Sequence, residues 1–83
     1  MTMRGTITKM LPNRGYCFIR GDDGLSRFGH ARGFVDPVAF DRAREGQAVE
    51  FDPIMDNSPH AKGGGLRAIA IILLPAGYAV PKL

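Results

Sequence analysis

The run Arg14-Gly15-Tyr16-Cys17-Phe18-Ile19 carries two aromatic rings at alternate positions, and Phe28-Gly29-His30 repeats that spacing a short way along the chain. Side chains alternate across an extended strand, so Tyr16 and Phe18 share one face while Cys17 and Ile19 share the other. Cys17 and Ile19 are the natural core pair, which leaves the rings on a wetted face with Arg14 and Arg20 at its ends. Flat rings stack on nucleobases and cations attract phosphate; together they make a surface for unpaired nucleic acid. The competing reading is that the rings fill a small barrel, since large apolar side chains are usually inside. The alternation already assigns the core to other residues and favours exposed rings.

The cations near this face are Lys9, Arg14 and Arg20, with Lys62 and Arg67 flanking a later loop and strand. Phosphate contacts of this kind supply affinity and salt sensitivity without reading sequence. Phe34 reads as a loop anchor. His30 and His60 lack the spacing and partners of a metal site, so neither metal nor cofactor is expected. Gly63-Gly64-Gly65 lacks the strand, Lys-Ser/Thr and helix context of a phosphate-gripping loop. No nucleophile, base and orienting acid converge, so an enzyme is not expected.

Short β-type runs must position these groups, because no long stretch has helical periodicity. The strands are expected at Met3 to Met10, Gly15 to Gly21, Ser26 to His30, Ala48 to Asp52 with Val49 and Phe51 inward, and Leu66 to Leu74. Leu11-Pro12-Asn13 and Asp22-Asp23-Gly24 are turns, the second a hairpin in which Gly24 takes positive φ. Asp36-Pro37 opens a short helix reaching about Arg44. A three-strand meander, a longer connection and two more strands fit an all-β class, a five-stranded antiparallel barrel of the oligonucleotide-binding type. Residues 1–74 form this domain and residues 75–83 an apolar tail.

With 83 residues, one core is all the chain can build. Eleven basic against eight acidic residues, a net charge of +3, favour a polyanionic partner. The single cysteine cannot form an internal disulfide and reads as a small apolar filler. The longest apolar run, Ala68 to Leu74, ends at Pro75 and is too short to span a bilayer. A soluble cytoplasmic protein is expected.

From Gly5 to Ile71 these features resemble the cold-shock domain family. Gly5-Thr6-Ile7 is similar to its opening strand, Arg14-Gly15-Tyr16-Cys17-Phe18-Ile19 to its first ribonucleoprotein-type motif, and Phe28-Gly29-His30 to its second. Glu45-Gly46-Gln47-Ala48-Val49-Glu50-Phe51 resembles the approach to strand four. The resemblance implies a five-stranded barrel that stacks single-stranded RNA or DNA on Tyr16, Phe18, Phe28 and His30. It also implies an RNA chaperone or a regulator of transcription or translation in a bacterial cytoplasm. The chain departs from the family at Lys9, where a tryptophan is usual, and at Met10 and Ala31, where further rings are usual; the resemblance offers Phe40, six residues before Gly46 where the family often carries a loop aromatic, as a further stacking candidate, with burial beneath the barrel as the alternative. Arg27 and Gly29 occupy core-facing positions of strand three, which predicts a poorly packed middle strand. The alternative function is a protein-interaction or self-association module on the same barrel with a reduced nucleic-acid platform, its partner another protein or a second copy joined as a homodimer through the C-terminal strand and tail.

Overall fold

Alternating runs broken by turn residues give five strands in the computed structural model, which describes residues 2–56 and 65–75. They are β1 (Met3–Leu11), β2 (Tyr16–Gly21), β3 (Ser26–His30), β4 (Ala48–Met55) and β5 (Leu66–Leu73), and they close in the order β1-β2-β3-β5-β4. The β2–β3 turn uses Gly24 at φ +83°, while the Asp23 carboxylate accepts from Leu25 N at 3.1 Å. The barrel is all-β as expected, but not wholly antiparallel, because β3 and β5 run parallel. Parity dictates this: strand direction cannot alternate around a closed ring with an odd number of members, so one neighbouring pair must agree. That pair needs a long crossover, and residues 31–65 supply it.

The helix is shorter than the sequence implies. Asp36 accepts from Val38 N at 3.0 Å through its side chain and from Ala39 N at 2.9 Å through its carbonyl, yet α1 spans only Ala39–Arg42. Ala43 is already extended. The chain turns there to set Glu45-Gly46-Gln47 against β1. Gly46 N donates to Ile7 O at 2.8 Å, Ile7 N to Gln47 O at 2.9 Å, and Met10 N to a Glu45 carboxylate oxygen at 3.0 Å.

Ile7, Cys17, Ile19, Val49, Phe51 and Ile71 are fully enclosed at the centre of the core. Burial pushes the Cys17 thiol up to about 12, so it acts as an apolar filler and not as a nucleophile. The expected looseness around strand three is absent. A Cβ at Gly29 would lie 3.2 Å from both Cys17 Sγ and Ile71 Cδ1, and 3.3 Å from Ile19 Cδ1, so neighbouring side chains already fill the space.

Arg27, the other unusual core-facing residue, is 5% exposed. Its guanidinium lies 5.6 Å from the Phe51 ring centroid and grips the Asp23 carboxylate with two bonds, at 2.9 and 2.7 Å. Such a fork neutralises a charge that could not otherwise be enclosed. The same hydrogen bonds hold the Asp23 carboxyl down at about 2, against an ordinary 3.8. A carboxyl whose pKa is depressed by folding adds stability above its unfolded pKa and loses it as pH falls through the folded one. Stability should therefore drop between about pH 4 and pH 2. Denaturant titrations across that window should show a shallower drop in Asp23→Asn than in the wild type.

Two irregularities re-aim side chains. In β1 the register with β2 slips between Ile7 and Lys9, making Thr8 an extra residue; Thr8 and Lys9 both face solvent and Met10 packs on the core. In β5 the register with β4 slips opposite Phe51, and Ala70 takes φ +51°. That twist turns Ile71 inward. A left-handed alanine is strained by about 1 to 2 kcal/mol, part of which glycine would return through its freer unfolded state. Ala70→Gly is expected to raise stability by about 0.5 kcal/mol, read from the melting temperature.

Among the described residues, no helix is long and apolar enough to cross a membrane.

Candidate nucleic-acid interface

Cross-strand partners present side chains to the same face. The register Lys9–Phe18–Phe28–Arg67–Ile54 therefore sets one row of side chains around the outside of the barrel, with a residue from every strand. Leu11–Tyr16–His30 makes a second row beside it. Between the rows the aromatic side chains touch. Tyr16 lies 5.8 Å from Phe18 and 5.0 Å from Phe28 between centroids, and Phe18 meets Phe28 edge-on at 6.1 Å. His30 sits 6.2 Å from Phe28. None of these four belongs to the core cluster inside the barrel, which places the rings on the outer face.

Their exposure differs from the simple expectation. Tyr16, Phe18 and His30 are half-buried and offer ring surface to solvent. Phe28 is only 7% exposed, because Tyr16, Phe18 and His30 surround it and the Arg67 guanidinium covers it at 5.4 Å from the centroid. Phe28 is thus the base on which the other rings rest rather than a free stacking surface. The His30 ring is oriented by Arg32 N, which donates to Nδ1 at 3.0 Å. Nε2 is then the nitrogen that carries the proton of the neutral ring.

Lys9 is exposed and opposite Phe18, where the bulge at Thr8 delivers it. Arg20 is exposed on the Tyr16–Phe18 face, paired with Thr6 and Ser26. Arg14 is exposed at the end of the 3-10 turn Pro12–Arg14, immediately before Gly15 at φ +77°. Phe40 is a correction. It is 7% exposed and packs edge-on against Phe34 at 5.4 Å, inside the core cluster, because α1 presses it beneath the barrel. Lys62 and His60 lie outside the described residues, as does the tail from residue 76.

Arg67 belongs to this face, although the sequence alone does not single it out as a site. Its signal was its neighbour: Ala68 is small and inward, so Arg67 must point outward. What the alternation could not supply was the parallel β3–β5 pairing that lays it on Phe28. NH1 donates to an Asp56 carboxylate oxygen at 3.3 Å, which pins the guanidinium in place.

The face offers half-buried ring surface for stacking and two exposed cations, Lys9 and Arg20, with a third, Arg14, on the turn that leads into β2. Neither a protein-family model nor a curated protein matches the chain.

Proposed function

We propose that the chain is a single-stranded nucleic-acid-binding module of the cold-shock type, built on an oligonucleotide-binding barrel. The observation that carries this reading is the outer cluster of Tyr16, Phe18, Phe28 and His30, assembled on a face that the core does not need. The cluster lies outside the enclosed core, and its half-buried members Tyr16, Phe18 and His30 provide π-faces for bases. Bases stack on Tyr16, Phe18 and His30, and Lys9, Arg14 and Arg20 draw the backbone in. Unpaired strands are the substrate because only splayed bases expose their faces. Holding RNA or DNA open in this way suits an RNA chaperone or a regulator of transcription or translation.

Fluorescence titration with unstructured RNA and DNA, and with a duplex, at two salt concentrations tests the reading. Single strands should bind better than duplex, and affinity should fall as salt rises because counterions are released. Equal binding to duplex, or no binding at low salt, would overturn it.

One observation favours a second reading, a protein-interaction or self-association module. Val35, Val38 and Ile72 are exposed, and a cavity of about 240 Å³ opens between Val35, Ala39 and Ile72 on the flank of the barrel. Sedimentation over a range of concentrations decides whether copies associate there.

A further inference from the structure

The outer row of side chains does not stop at the rings. Past Phe28 it continues to Arg67 on β5 and then to Ile54 on β4, which is 40% exposed. We propose that the base-binding surface of the module inferred above extends onto these two strands, with the Arg67 guanidinium as a stacking platform in place of the Phe28 ring it covers.

A guanidinium is planar, delocalised and weakly hydrated, and it stacks on aromatic faces where a lysine ammonium cannot. Its two faces are alike. The Arg67 Cζ lies over the Phe28 ring at 5.4 Å from its centroid, a cation–π distance, so a base that stacks on the outer side of the guanidinium carries the surface begun by the ring outward. The side chain is 32% exposed, enough for contact from solvent. The Asp56 carboxylate, 3.3 Å from one terminal nitrogen, tethers that end of the guanidinium and offsets part of its charge, so Arg67 acts through its flat surface more than as a phosphate anchor. Beyond Arg67, Ile54 continues the apolar floor.

The inference rests on the nucleic-acid reading, and the length of strand that binds separates the two. Affinities of wild type and Arg67→Lys are to be measured with homopyrimidine DNA and RNA of increasing length, about 4 to 16 nucleotides, alongside thermal melts. Lysine retains the charge and loses the plane. The expected result is a roughly five- to a hundredfold weaker affinity for long strands, an unchanged salt slope, and a plateau in affinity reached one or two nucleotides earlier. Wild type that binds no strand at any length defeats the functional reading itself. Wild type that binds while Arg67→Lys matches it in affinity and plateau overturns this inference alone. So does a variant that loses affinity equally at every length together with a lower melting temperature, because Arg67 would then only support Phe28.

Discussion

Phe28→Ala is expected to destabilise the fold by about 3 kcal/mol, whereas Phe18→Ala, one strand away on the same face, should chiefly weaken oligonucleotide binding, by about 1 to 3 kcal/mol. The contrast follows from coverage. Phe28 is 7% exposed under Tyr16, Phe18, His30 and Arg67, so truncation would leave a hole that four side chains cannot all collapse to fill. Phe18 is half-buried and borders Lys9, so its removal opens a surface to water and takes away a stacking face. Loss of the platform beneath them should also displace Tyr16 and His30, and Phe28→Ala is expected to bind weakly even where it remains folded. Thermal melts and titrations of both variants check this. If Phe28→Ala melted with the wild type, the outer cluster would contribute nothing to stability; if Phe18→Ala unfolded, Phe18 would belong to the structural base as well.

Gly5→Ala is expected to lower stability by about 3 kcal/mol, a large share of the roughly 4 to 12 kcal/mol that a domain of 83 residues typically has. A Cβ there would fall against the Arg20 carbonyl oxygen and 3.0 Å from Gly21 Cα. Gly5 pairs with Gly21 of β2 on one side and with Val49 of β4 on the other, so β1 cannot move away from one neighbour without being forced into the other. The obstacle is backbone and does not yield. Gly21 makes an instructive comparison, since a Cβ at that position would meet side-chain ends, Arg27 NH1 at 2.5 Å and Met3 Sδ at 2.7 Å. Met3 Sδ can swing aside, and the Arg27–Asp23 fork, whose Asp23 Oδ1 lies 2.8 Å away, can give by loosening without a backbone shift, so Gly21→Ala should still be the milder substitution in urea denaturation. Equal losses in the two variants would show that β1 is free to shift.

Strand two was legible from its residues alone. Alternation is a property of the local backbone, so placing Cys17 and Ile19 inside and Tyr16 and Phe18 outside needed no knowledge of what lay across from them. The hairpin at Gly24 and the inward Val49 and Phe51 were readable for the same reason. Elsewhere the rule of two fails, because the deciding contact comes from a distant part of the chain. Counting by alternation from buried Ile7 would put Lys9 inside; the bulge at Thr8, beside the Glu45–Gln47 turn that clasps β1, puts it out beside Phe18. Alternation puts Phe28 on the outer face and in water, yet it is covered, and Arg67 helps to cover it, brought there by a parallel pairing that only the closing of five strands requires. Phe40 carries no local sign that distinguishes a stacking ring from a core ring, and its packing on Phe34 is settled by where α1 meets the barrel. The sequence by itself determined which way most side chains point, since that depends on neighbours along the chain; only the tertiary structure decided which outward side chains meet water, since that depends on strands paired across long stretches of sequence.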